Sequence, residues 1–128
     1  MMTRMQPAPV LAAVTALALF AAPAPAAEVV SYTLDVFPIL DARCVSCHKP
    51  GGEGYLKTGL DLSTYAGLMK GTKHGAIVIA GEPLTSNLNV LIEGRAAQSI
   101  RMPHNQRPLL KAQQQIIHDW VKQGAKDN

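Results

Sequence analysis

The chain has 128 residues, 48% of them apolar, 16% charged and 5% aromatic, with 12 Lys and Arg against 9 Asp and Glu. That length fits one small domain and excludes a multidomain enzyme. Two cysteines are too few for a disulfide scaffold, and a net charge of +3 gives no reason to expect a nucleic-acid partner.

Residues 1–26 read as a cleavable export signal. A short start carrying Arg4 precedes a nearly unbroken apolar stretch (Val10, Leu11, Val14, Leu17, Leu19, Phe20), and Ala24-Pro25-Ala26 supplies small residues for a signal peptidase. The stretch is shorter than the ~20 residues that span a membrane. The expected mature chain, residues 27–128, keeps a net charge of +2 and has no second apolar run. It is expected to be a single domain without a membrane span, in an oxidising compartment of the periplasmic kind.

Along the mature chain, a first helix is predicted over residues 36–47, capped by Asp35 with Pro38 in its first turn. Val36, Leu40, Cys44 and Cys47 recur at helical spacing, so the last turn presents both cysteines. Residues 49–59 read as a Gly-rich loop (Gly51, Gly52, Gly54, Gly59) whose backbone can lie close to a ligand. Ser63 is expected to cap a short helix to about Lys70, with Gly71 as its stop. Residues 76–80 are an apolar run of extended character, and Gly81-Glu82-Pro83 reads as a turn. Ser86 is expected to cap a helix through Glu93, ended by Gly94. Residues 96–108 read as irregular. A last helix is predicted over residues 110–123, with Gln113, Ile116, Ile117, Trp120 and Val121 on one face and Gly124 as the stop. The expected class is all-α, with main helices at the two ends of the chain.

Cys44-Val45-Ser46-Cys47-His48 is C-x-x-C-H, the signature of covalent haem attachment. Cysteines three apart on a helical turn project to one side, and each thiol can add to one vinyl group of haem. His48, four residues after Cys44, stays near that face and can reach the iron. Three other readings compete. A thioredoxin-like pair wants a strand before the motif and a βαβ context. Zinc needs about four ligands, and beyond this cluster the chain offers only His74, His104 and His118. A structural disulfide leaves the adjacent His48 unexplained.

Haem proteins that move electrons commonly fill the sixth iron position, often with Met. Outside the signal only Met69 and Met102 remain. Met69 lies in a predicted helix beside Leu68 and suits the core. Met102 stands between Arg101 and Pro103 in an irregular segment, 54 residues after His48. It is the expected distal ligand, with His104 as runner-up. His74 and His118 read as surface or boundary residues, and Trp120 as core with its N–H free for a contact at the haem edge. An iron-bound His donates its second ring N–H to a carbonyl or carboxylate; a backbone carbonyl of residues 59–62 is the expected acceptor. Arg43, Lys49, Lys57, Arg101, Arg107 and Lys111 cluster in sequence near these elements. They read as solvated surface or as steering charges for an acidic redox partner.

These residues resemble a class I c-type cytochrome and, more narrowly, the short planctomycete-type cytochrome c domains. The matching pieces are Val36-Phe37-Pro38-Ile39-Leu40 before Cys44–His48, Gly59-Leu60-Asp61-Leu62-Ser63, Ala80-Gly81-Glu82-Pro83 with Ser86, Met102-Pro103, and Trp120-Val121 with Gly124-Ala125. The resemblance implies a cytochrome c-like fold with the first and last helices crossing. It also implies one covalent haem c, with His48 and Met102 as axial ligands. Lys57-Thr58-Gly59 is similar to the stretch whose following carbonyl accepts the haem His N–H. The chain departs from the family's Met-Pro-Pro at His104, and Leu110-Lys111 replaces a capping Ser. The expected function is one-electron transfer between a separate redox donor and acceptor, as a monomer, with no acid–base constellation in the chain. A haem subunit of a periplasmic oxidoreductase is the second reading, and a sensor or peroxidase-like protein with an exchangeable sixth ligand the third.

Overall fold

The computed structural model describes residues 26–128 together with Met2. Apart from Met2 and Ala26, the expected export signal lies outside the described residues.

Three helical stretches run head to tail, Tyr32–Val36, Phe37–Leu40 and Asp41–Val45, and are taken together as α1. The outer two wind more widely than an α-helix; Val36 N donates to the carbonyl of Ser31, five residues back, at 3.2 Å. The helix begins about one turn earlier than expected. Ser31, not Asp35, is the cap. Its Oγ accepts from Leu34 N at 3.2 Å, while the Asp35 carboxylate accepts from Ser31 N at 2.8 Å. Pro38 therefore lies inside the helix, where its ring would crowd the carbonyl four residues back. The wider winding just before it gives the ring room. The remaining free N–H groups of the first turn find a partner at the other end of the chain. Tyr32 N donates to Asn128 Oδ1 at 2.8 Å and Thr33 N to the Asn128 carbonyl at 3.0 Å.

The expected loop over residues 49–59 contains a helix, α2 (Glu53–Thr58), closed by Gly59 at φ +74. The four glycines hid it. Three of them flank the helix and one, Gly54, sits in its first turn. α3 (Tyr65–Lys70) is capped by Thr64, whose side chain accepts from Gly67 N at 3.0 Å. Ser63, the expected cap, bonds instead to Asp61. Residues 76–80 form no strand; Ile77 and Val78 are buried in an irregular segment. α4 (Asn87–Ile92) follows Ser86, but the Ser86 hydroxyl accepts from Ile79 N at 2.8 Å and donates to the Glu82 carbonyl at 2.8 Å rather than capping. A short 3₁₀ turn, Gln98–Ile100, interrupts the irregular stretch before α5 (Lys111–Lys122). The described residues carry no strand, so the fold is all-α.

The first turn of α1 packs against α5, and so does α4. Aromatic rings make the α1–α5 crossing. Tyr32 lies 5.5 Å from Trp120 and 5.1 Å, edge-on, from Tyr65 between ring centroids. Val36, Leu40, Leu68, Ile117, Trp120 and Val121 are fully buried around it. The Trp120 N–H donates to the Lys126 carbonyl at 2.9 Å, so it is not free for the contact expected of it. Burying side chains of this size is worth roughly 1.5–3 kcal/mol each, and this crossing fixes the direction in which α1 delivers its cysteines.

Candidate functional site

The C-terminal end of α1 carries Cys44, which is buried, and the chain winds on through one more turn. His48 N donates to the Cys44 carbonyl at 3.0 Å. Cys47 is exposed and His48 is buried. The two cysteines are free thiols, not a disulfide. Burial pushes the Cys44 thiol up to about 11; Arg43 opposes the shift and Cys47 adds to it. Cys44 is therefore held as a neutral thiol.

The His48 ring rests on the backbone of Gly54. A Cβ at residue 54 would stand 2.7 Å from the ring Cε1 and 2.9 Å from each ring nitrogen. The Gly-rich segment does lie close to something, but that something is the imidazole. Burial pushes the His48 pKa down, and the Leu60 carbonyl, which favours the protonated ring, partly opposes the shift. The ring is kept neutral, with a lone pair for metal. Its Nδ1 is buried and makes no well-formed hydrogen bond. The hydrogen bond expected from this nitrogen to a carbonyl of residues 59–62 is therefore not formed in this structure. The His48 carbonyl is tied to the same stretch by Leu62 N at 2.8 Å, and Tyr55 N donates to the Cys47 carbonyl at 3.0 Å.

Met102 lines a cavity of about 670 Å³, within the range of a cofactor pocket. Its walls include Ile92 of α4 and Glu93 just beyond it, Met102, Pro103 and His104 of the irregular segment, and Gln114 of α5. Met102 is half-buried and packs against the same apolar core as Cys44. His104 is exposed. Cys44, Cys47 and His48 do not line this cavity, so the structure keeps the two halves of the expected site as neighbours of one core rather than walls of one pocket. One link joins them: the Arg43 guanidinium donates to the Arg107 carbonyl at 2.6 Å.

The other candidates have local roles. Met69 packs against the core and His74 is exposed. His118 is half-buried and bonds Glu93 across the α4–α5 interface at 3.1 Å. Of the cations singled out, Lys57 bonds Glu53, Arg101 bonds the Ala96 carbonyl and Lys111 bonds Gln114. Sequence reasoning missed α2, and with it Gly54 as the neighbour of His48. The opposite charges of Glu53 and Lys57, four residues apart, were the available signal.

The arrangement suits the group the motif implies. Two unbridged thiols and a buried neutral imidazole with an orphaned nitrogen meet at one helix end. Among the described residues no three His, Cys, Asp or Glu side chains converge as a metal-ligand set, so zinc finds no donor cluster here. Among the described residues no strand precedes the motif, as a thioredoxin-like pair would need.

Residues 44–105 match the family model for planctomycete cytochrome C. No curated protein and no solved structure matches the chain.

Proposed function

We propose that the chain, whose residues 44–105 match the family model for planctomycete cytochrome C, is a monohaem c-type cytochrome carrying single electrons in the periplasm. The observation that carries this reading is the buried, neutral His48 backed on Gly54 at the helix end that presents Cys44 and Cys47.

In this reading Cys44 and Cys47 would hold haem covalently through their two sulfurs, an attachment that needs no oxidant. Haem supplies the one-electron Fe(III)/Fe(II) couple. The chain's own residues hold and shield it. His48 and Met102 would be its iron ligands, with His104 as the alternative to Met102. Leu40, Leu60 and Ile92 are buried around the two halves of the site and keep water away. No side chain has to move a proton.

Electrons pass between a separate redox donor and acceptor. Among the described residues no helix is long and apolar enough to cross a membrane, and residues 1–26 supply the expected export signal. A carrier and a haem subunit of a periplasmic oxidoreductase would use the same residues, and co-purification of a partner separates them.

The test is a potentiometric titration of haem-loaded protein, with carbon monoxide added to the ferrous form. A reversible one-electron step and no rapid carbon monoxide binding are expected. Prompt binding would mean an open sixth position and would move the reading to a sensor or peroxidase-like protein.

A further inference from the structure

Charge is unevenly placed along α1. At its C-terminal end the turn of Cys47, α2 and the Met102 segment come together. Tyr55 N donates to the Cys47 carbonyl at 3.0 Å, and the Arg43 guanidinium donates to the Arg107 carbonyl at 2.6 Å. Residues 41–57 and 98–111 build this end. They carry six cations (Arg43, Lys49, Lys57, Arg101, Arg107 and Lys111) against two anions, Asp41 and Glu53. The rest of residues 27–128 carry five cations against seven anions. Among the described residues of this end the one ion pair is Lys57 with Glu53. Arg43, Arg101 and Lys111 bond neutral oxygens, which leaves their charge uncancelled. All six cations except the half-buried Arg43 are exposed.

The other end of α1 differs. There residues 27–35 pair with residues 122–128, through Val30 N to the Gln123 side chain and Thr33 N to the Asn128 carbonyl. These two segments carry Glu28, Asp35 and Asp127 against Lys122 and Lys126. From Tyr32 to Val45, at about 1.5 Å per residue, the two ends stand roughly 20 Å apart. That is more than twice the ~8 Å over which physiological salt screens a charge. An approaching molecule therefore meets the charge of one end, not the small net charge of the whole.

Apolar side chains are interleaved with the cations. Leu56, Ile100 and Leu110 are 72%, 54% and 69% exposed, and they directly precede Lys57, Arg101 and Lys111. They lie on three separate elements, α2, the 3₁₀ turn and the start of α5, and not on the single amphipathic face that a helix lays on a membrane. Apolar contacts beside charged and polar ones are the makeup of a protein–protein interface.

We propose that this end of the molecule is the docking surface for a separate redox protein whose own face is acidic. The cations steer the partner in, and the apolar side chains meet it at contact. The proposal rests on the reading of the chain as an electron carrier and gives its partner a chemistry. Cys47 is exposed at the same end, so a group held by its sulfur is reached from this side. The two carboxylates of haem, even if both fell here, would leave the end positive.

The test mixes ferrous haem-loaded protein with ferricyanide, an anionic oxidant, and with tris(phenanthroline)cobalt(III), a cationic one, at low and at high salt. Two double variants change net charge equally. Lys49→Glu with Arg107→Glu alters the basic end, and Lys122→Glu with Lys126→Glu the other. At low salt the ferricyanide rate is expected to fall about tenfold in the first pair and to change little in the second, with the cobalt rate rising in the first pair alone. High salt should erase these differences. A poly-glutamate peptide, standing in for an acidic protein face, is expected to slow ferricyanide oxidation of the parent and of the second pair but not of the first. Equal effects of the two pairs would overturn the proposal, because net charge alone would then set the rates. Retention on phosphatidylglycerol vesicles at physiological salt, undiminished by poly-glutamate, would overturn it in favour of a membrane contact. Protein with no haem for ferricyanide to oxidise would overturn the carrier reading, and this proposal with it; its missing haem spectrum tells that outcome from the others.

Discussion

The Arg43 guanidinium donates to the backbone carbonyl of Arg107 at 2.6 Å, joining the residue just before the first cysteine to the segment that leads away from Met102. The two are 64 residues apart in sequence, so this bond is a long-range tie between the end of α1 and the Met102 segment, beside the bond from Met102 N to the Leu91 carbonyl at 3.3 Å.

Replacing Arg43 by Met keeps much of the stem and removes the donor. The contact is partly exposed, so the loss of stability is about 1 kcal/mol or less. The effect on the site is larger than that figure suggests. Met102 should exchange more readily with outside ligands, seen as faster cyanide binding to ferric protein. Unchanged cyanide kinetics would mean that the Met102 segment is held from elsewhere.

Gly54→Ala puts a methyl group 2.7 Å from the His48 ring. The ring has to shift, and overpacking of this kind costs about 1–3 kcal/mol. The yield of covalent haem protein should fall well below that of the parent, and the ferric spectrum should show altered axial ligation. A parent-like yield and spectrum would mean that His48 can rest elsewhere without consequence.

Trp120 is the largest fully buried side chain, at the crossing of α1 with α5. Trp120→Ala should cost about 3–5 kcal/mol, read as a lower urea midpoint. Trp120→Phe should cost less. It keeps most of the ring volume, and the Lys126 carbonyl that loses the indole N–H belongs to an exposed residue.

Glu93 joins α4 to α5. Burial alone would raise its pKa, but hydrogen bonds from Arg95, His118 and Asn89 outweigh burial and hold the carboxylate below its ordinary 4.5. A carboxylate depressed on folding contributes stability that is present above about pH 4.5 and lost as pH falls through the folded value. The urea midpoint should therefore drop in acid. Glu93→Gln should start lower at neutral pH and fall less steeply. An equally steep fall in the variant would place the acid sensitivity on another group.

The sequence carried the class of the fold and most of its elements, because those rest on local chemistry. The spacing of Val36, Leu40 and Cys44, the stop at Gly71 and the apolar face of Ile117, Trp120 and Val121 all answer to one helical period. It misled where tertiary contacts overrule local preference. Pro38 reads as a helix start, yet widened winding and capping contacts from Asn128 carry α1 a turn earlier. Ser63 and Ser86 read as caps, yet each hydroxyl has a better partner nearby. The glycines of residues 51–59 read as loop, yet one of them lies inside a helix because the imidazole leaves no space for a Cβ. At the site, C-x-x-C-H was legible as a motif. The Arg43 bond to Arg107 and the contact of Gly54 with the His48 ring were not, since both depend on which parts of the backbone the folded chain brings within reach.

The account stands most directly on whether Cys44 and Cys47 carry haem. The measurement is acid-acetone extraction followed by a pyridine haemochrome spectrum, on protein exported from a host with cytochrome c maturation. The account predicts haem that stays with the protein and shows a two-thioether spectrum. It further predicts a ferric sulfur-to-iron absorption band that disappears in Met102→Ala and survives in His104→Ala. Haem that extracts freely, or no haem at all from a competent host, would contradict it and return the two cysteines to another role.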